Sequence, residues 1–293
     1  MTLTHRYLRQ GEADFSVGYK LQTRWGVMEA VIFTLECTGA GLFAAATLTG
    51  EQVAGMVVGV MLVAAAIVLL LVHLGHPWRA WMAMRNVRTS WISRGTFVLG
   101  GFVGLGILYL MLRHGAGMEQ TAGIAYLLRW VLLSASAFIL IYPGLILSAS
   151  PAIPFWNSGL LPVYSAANGA ASGLVLLVAI TDASGRGIPP NLPLLGFWLL
   201  VVLAVLTFLY VASMLRRGAA AAESAAYLLR GEAALFILGA CVAGLALPMF
   251  FSLWAVTAGA SAGIAALAAI LRMAGDLAVR HAFLKVGMFN PVV

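Results

Sequence analysis

The chain has 293 residues, 62% of them hydrophobic and only 9% charged, with a mean hydropathy of +0.99 and a formal net charge of +7. A soluble domain carries roughly 25% charged residues, so a water-soluble globular enzyme is excluded. The two cysteines, Cys37 and Cys241, lie in apolar runs without metal-ligand spacing and support neither a disulfide framework nor a zinc or iron–sulfur site.

In chain order, residues 1 to 24 come first as a polar, mixed-charge stretch lacking the apolar core and cleavage site of a secretory signal. This stretch is read as a segment lying on the membrane surface or against a partner. Apolar windows come next, at about 25 to 48, 54 to 74, 95 to 112, 122 to 149, 160 to 180, 193 to 215, 233 to 251 and 254 to 275. Each is long enough to cross roughly 30 Å of hydrocarbon as a helix, the form that satisfies every backbone group internally. The expected fold is an all-α integral membrane protein, an eight-transmembrane-helix bundle in two four-helix halves. Residues 25 to 285 form the membrane domain and 286 to 293 a tail. Little more than Pro248 to Trp254 parts the last two windows, so one kinked element and seven spans is the alternative.

With eight spans, both termini and the second, fourth and sixth connections share a side. That side holds fourteen of the seventeen Lys and Arg residues: Arg6, Arg9, Lys20 and Arg24; Arg79, Arg85, Arg88 and Arg94; Arg216, Arg217 and Arg230; Arg272, Arg280 and Lys285. Arg113 and Arg186 lie opposite, and Arg129 falls near the start of the fourth span, where it can snorkel to the interface. The positive-inside rule makes the basic side, with both termini, cytoplasmic. Anionic lipid then accounts for the net charge, and nucleic acid is not invoked. No segment outside the spans exceeds about 24 residues, short of the roughly 40 below which domains need extra staples. Chemistry on a large soluble substrate must belong to another chain.

Ionisable groups in or beside the spans are the candidate functional residues. Glu29 and Glu36 stand seven residues apart on one face of the first span. A carboxylate in hydrocarbon costs roughly 2.5 to 3.5 kcal/mol, so Glu36 needs a partner, a proton or a water-lined cavity. It is a proton relay or a pocket wall on one reading, and hydrogen-bonded packing on the other. Arg272, Asp276 and Arg280 recur at spacings of four on one face. They either anchor a helix end at the interface or close a pocket at the membrane face of His73. His73 ends an apolar span on the basic side, where an imidazole can hydrogen-bond a carbonyl and exchange a proton near neutral pH. That combination suits a lipid-soluble quinone; the plain alternative is an interfacial cap. A haem b is not expected, because it needs two ligands facing each other inside the bundle and only His73 and His281 could serve.

Residues 73 to 95 read HLGHPWRAWMAMRNVRTSWISRG. Trp78, Trp81 and Trp91 suit a membrane interface, and Arg79, Arg85, Arg88 and Arg94 alternate with them. Lipid headgroups, or a docked acidic or peptide-backbone partner, would explain this positive aromatic surface. Trp78, Trp81, Arg85 and Arg88 are its docking candidates.

HLGHPWRAW followed by RTSWISR resembles the signature of the membrane anchor subunits of DMSO reductase-type complex iron–sulfur molybdoenzymes. FTLECTGAGLF in the first span and GDLAVRHAFLKVGM near the C-terminus are similar to two further segments of that family. The resemblance implies an oxidoreductase anchor for respiratory, anaerobic electron transport in the cytoplasmic membrane of a prokaryote. Its partners would be a ferredoxin-like four-cluster iron–sulfur subunit and a molybdopterin catalytic subunit, which hold the clusters and molybdopterin. This chain would hold no metal and would bind a quinone, menaquinone or ubiquinone. His73 and Glu36 are the expected catalytic residues, and His73, Arg79, Trp91, Arg94, Asp276 and Arg280 the expected quinone-binding set. One departure is Gly95, which stands where the family carries a glutamate, so Glu36, Asp276 or water must take its part in proton handling. The complex would act on a sulfur oxyanion, an S- or N-oxide or a phenylacetyl-CoA type substrate, with a lean toward a dehydrogenase that reduces quinone. An ion-coupled secondary transporter using Glu36 and Asp276, and a structural anchor without a quinone site, are the competing readings.

Overall fold

The computed structural model describes residues 18–50, 52–114, 118–185, 187–257 and 262–290. Its helices are α1 (Val27–Leu48), α2 (Val53–His73), α3 (Trp91–His114), α4 (Met118–Ser148), α5 (Leu160–Ala183), α6 (Asn191–Met214), the short α7 (Ala219–Arg230), α8 (Ala234–Thr257) and α9 (Ala262–Lys285). Seven of them, α1 to α6 and α8, are long and apolar enough to cross a membrane among the described residues. The chain is thus an all-α, multi-pass membrane protein, as its composition requires.

Burial separates the helices into roles. In the apolar stretch of α1 72% is buried and in that of α5 61%, against 28 to 39% for α2, α3, α4, α6 and α8. The first two form the centre, and the others turn a face outward. Small residues let the central backbones approach: a Cβ added at Gly39 would lie 2.7 Å from the carbonyl oxygen of Gly59 on α2, and one at Gly41 2.5 Å from that of Gly169 on α5. In hydrocarbon, where apolar burial gives no drive to associate, such close packing holds helices together. Helices α1 to α4 gather around Phe43, Phe102 and Tyr109, and α5, α6, α8 and α9 around Phe155, Tyr210 and Phe283. Helix α9 packs on α1, α5 and α8 and so ties the two groups together.

Two boundaries differ from the hydropathy windows. The break expected at Pro248 to Trp254 lies inside α8, and the last helix runs over Ala262–Lys285 instead of 254 to 275. Residues Ala234–Ala246 of α8 are π-helical and Leu247–Thr257 are α-helical, which puts Pro248 second in the new hydrogen-bond pattern. Inside this continuous helix a proline has no N–H to return to the carbonyls of the preceding turn, which must find another donor. Hydropathy registers composition and is blind to such a change of pattern. The third window, expected from residue 95, starts at Trp91.

Residues 1 to 17 of the expected surface segment, with Arg6 and Arg9, lie outside the described residues, as does Arg186. The rest of that segment is fastened to the other end of the chain. Strand β1 (Lys20–Leu21) pairs antiparallel with β2 (Met288–Phe289), and buried Gln22 donates from Nε2 to the carbonyls of Trp25 and Leu284, both at 2.7 Å.

Candidate functional site

Helices α1 and α2 are antiparallel neighbours joined by a short connection. Glu29 stands nineteen residues before the end of α1 and His73 twenty residues after the start of α2, so each is about 30 Å from the turn at 1.5 Å per residue. The two side chains meet there, with His73 Nε2 3.2 Å from Glu29 Oε1. The other carboxylate oxygen, Oε2, accepts the backbone N–H of Gly26 at 2.7 Å, a capping contact at the first turn of α1. The carboxylate is therefore held by the backbone on one side and offered to the imidazole on the other. The His73 side chain is 52% exposed and that of Glu29 20%. This is an accessible acid–base pair at the mouth of an apolar helix.

Glu36, the carboxylate expected to serve the site, lies two turns deeper, about 10 Å along the axis from Glu29. It is buried, and its Oε1 has no hydrogen-bond partner among the described residues. Its surroundings include Arg280 and Tyr142, both within electrostatic reach. The sequence did carry the signal for Glu29: counting from the short α1–α2 turn puts it level with His73.

Gly95, the departure from the expected motif, sits in the first turns of α3 and is buried. A Cβ built there would collide with the ring and hydroxyl of Tyr142 from α4. The glycine thus makes room for a phenol, which stacks on Phe138 at 5.9 Å and fills the volume that a side chain at position 95 would take. Tyr142 was not among the expected site residues, since nothing local in the sequence links positions 95 and 142.

The connection after His73 forms a 3₁₀ helix, Pro77–Met84, whose opening proline fixes the first turn. Trp78 is 91% exposed, Trp81, Arg79, Arg85 and Arg88 are exposed, and the Arg85 guanidinium lies over the Trp81 ring at 5.8 Å. Arg94 turns back instead, donating to the carbonyls of Val87 at 2.8 Å and Arg88 at 2.6 Å while stacking 4.5 Å over Trp91. Trp91 and Arg94 therefore hold the loop closed, and Trp78, Trp81 and the other arginines form its outer surface.

The charges of α9 do not lie at an interface. Asp276 is fully buried and accepts from Arg280 Nε at 2.6 Å, Asn168 Nδ2 at 2.5 Å and Ser172 Oγ at 2.9 Å. Arg272, 1% exposed, donates to Ser172 Oγ at 3.1 Å, to the Asn168 side-chain oxygen and to the Gly244 carbonyl at 2.6 Å. Pro248, four residues after Gly244, has no N–H to offer that carbonyl, and the buried guanidinium takes the place. The spacing of four set the three charges on one face as expected. That face turns inward onto α5, so the reading of an interfacial anchoring ladder is corrected. A cavity of about 30 Å³, room for one or two waters, lies beside Arg280, Ser165, Asn168 and Tyr164, and Arg280 Nη2 is without a partner among the described residues. Asn168, Ser172 and Ser165 were not anticipated, although their spacing of three, four and seven along an apolar helix marks a polar stripe.

Two centres result. His73 and Glu29 form one at the mouth of α1 and α2, and Asp276, Arg280 and Arg272 form another inside the bundle; no hydrogen bond or ion pair joins them among the described residues. His281 lies on α9, which packs on α1, α5 and α8, whereas His73 is engaged with Glu29. Arg129 donates to the Thr47 carbonyl at 3.2 Å, near the end of the bundle opposite His73. Among the described residues no three His, Cys, Asp or Glu side chains gather as a metal site.

No curated protein matches this sequence. A family description does: polysulphide reductase, NrfD, matches residues 18–291, through every helix and both strands. With the all-α architecture and the motif-bearing loop after His73 in place, the chain belongs to the polysulphide reductase (NrfD) family, a family of membrane anchor subunits of molybdoenzyme complexes.

Proposed function

We propose that this chain is the quinone-reactive anchor of a respiratory molybdoenzyme complex in the cytoplasmic membrane of a prokaryote. The observation that carries the reading is the contact between His73 and Glu29 at the mouth of α2. A quinone headgroup arriving from the bilayer needs a greasy approach and a group that exchanges protons at the aqueous edge. Exposed Val72 and the apolar run of α2 supply the first, and the imidazole the second. Nε2 faces Glu29, so Nδ1 is the nitrogen left to meet a quinone oxygen.

Reducing a quinone to its quinol takes two electrons and two protons. In this scheme the electrons come from the nearest cluster of the docked iron–sulfur subunit, and each proton passes from cytoplasmic water to Glu29, to His73 and on to the quinone oxygen. Quinol oxidation runs the same path backward. Family members normally assemble with iron–sulfur and molybdopterin subunits. Trp78, Trp81, Arg85 and Arg88 are the surface assigned to that docking, with Arg79 at the rim of the quinone site. Trp91 and Arg94 take part indirectly, by holding the loop. Asp276 and Arg280 are assigned to the interior centre instead of the quinone, and Glu36 to proton exchange with that centre.

The same reading makes α9 an eighth crossing with both termini cytoplasmic. The β1–β2 pair brings the start of α1 and the end of α9 to one end of the bundle, which supports an even number of passages. Ion-coupled transport is disfavoured, because Asp276 already has three donors and little capacity left for a coupling ion.

The test uses the assembled complex. His73→Gln should lower quinone-coupled turnover by about 100-fold or more, the scale of lost acid–base catalysis. Glu29→Gln should lower it in the same direction. Substrate turnover by the soluble subunits with an artificial dye, and their attachment to the membrane, should not change. Unaltered quinone-coupled turnover in His73→Gln would sink the assignment.

A further inference from the structure

On the second group of helices, away from the α1–α2 mouth, a cavity of about 510 Å³ opens between α6, the end of α7 and the π-helical part of α8. One wall is a single face of α6 running from Ala204 to Leu215, about 16 Å at 1.5 Å per residue. The facing wall carries Phe236 and Cys241, five residues apart in the π-helical stretch, and then Leu245. Small side chains at Ala204 and Ala212 leave the space between the walls. The lining is apolar except for Thr207, whose hydroxyl is already bonded to the Leu203 carbonyl at 2.7 Å. No polar group is left inside for a headgroup, so the shape suits a hydrocarbon chain and not a quinone ring.

The two ends of the groove differ. It finishes at Leu215 and Leu229, and the residues next in sequence are Arg216, Arg217 and Arg230, all exposed. Arg217 reaches a neutral partner, Asn157 Oδ1, at 3.4 Å, and the nearby carboxylate of Glu232 is taken by Lys285 at 2.8 Å. No ion pair neutralises the three arginines among the described residues. A greasy slot ending in three cations on the basic side of a membrane protein matches one class of molecule in charge and in polarity. We infer that the groove holds an acyl chain of an anionic phospholipid whose headgroup phosphate is bound by Arg216, Arg217 and Arg230. The site does not depend on the redox reading.

Native mass spectrometry of the full chain, delipidated in detergent and offered phosphatidylglycerol or phosphatidylcholine, tests the inference. The wild type should retain one phosphatidylglycerol preferentially. The variant Arg216→Gln/Arg217→Gln/Arg230→Gln, altered only at exposed positions, should lose at least about tenfold of that preference with unchanged elution and melting. Ala212→Trp, which fills the slot, should abolish retention with the arginines intact. Equal retention of both lipids, a preference unchanged in the arginine variant, or recovery of a quinone in place of phospholipid would each overturn the assignment.

Discussion

At the level of single residues, two positions show how one side chain sets the terms for another. Gly95 is a glycine because the Tyr142 phenol occupies its side-chain space. Gly95→Ala should therefore destabilise the protein by about 1 to 3 kcal/mol through overpacking, seen as a lower melting temperature in detergent. In a Tyr142→Ala background the same change should cost far less, and Gly95→Glu should become tolerated only there. Asp276 is the second case. Three donors converge on it in the buried interior, and removing its charge leaves Arg280 buried beside a neutral amide. Asp276→Asn should cost about 3 to 5 kcal/mol, the scale for breaking a buried pair from one side. A melting temperature equal to the wild type would show that the cluster is not holding α5 to α9.

Among the elements, α8 is the one whose internal pattern matters most. Its π-helical opening delivers Gly244 to α9, close against Gly275, and Pro248 withholds an N–H from the Gly244 carbonyl that Arg272 then binds. Pro248→Ala returns a backbone donor toward a Gly244 carbonyl that Arg272 already satisfies, so its effect should stay below about 1 kcal/mol. Arg272→Leu removes the donor to Gly244, Ser172 and Asn168 together and leaves Asp276 facing one guanidinium. Thermal unfolding should show it losing about 3 kcal/mol or more. Measured side by side, the two substitutions tell whether α8 is held by its own backbone or by the guanidinium from α9.

For the whole molecule, the proposed eight-crossing arrangement puts Arg85, Arg216 and Phe289 on one face and Gly187 on the other. With Cys37 and Cys241 replaced by alanine, single cysteines at the first three positions should react with an impermeant thiol reagent only from the cytoplasmic side. A cysteine at position 187 should react only from outside. Labelling of Phe289→Cys from the side opposite Arg85→Cys would show that α9 does not cross. The same frame separates the His73–Glu29 mouth from the interior charge cluster, with Glu36 placed between them on α1.

Composition alone determined that this is a membrane-spanning all-α protein, because the cost of an open backbone group or a charge in hydrocarbon is local and additive along the chain. The order of residues after His73 pointed to the family, and helix periodicity set Arg272, Asp276 and Arg280 on one face. Tertiary structure decided what those features meet. Spans that are apolar all round carry little information about their rotation, so no local pattern tells that the charged face of α9 turns onto Asn168 and Ser172, or that position 95 confronts Tyr142. Glu29 lies between these cases: depth counted from a short turn places it beside His73, but only the packing of α1 on α2 turns the two side chains toward each other.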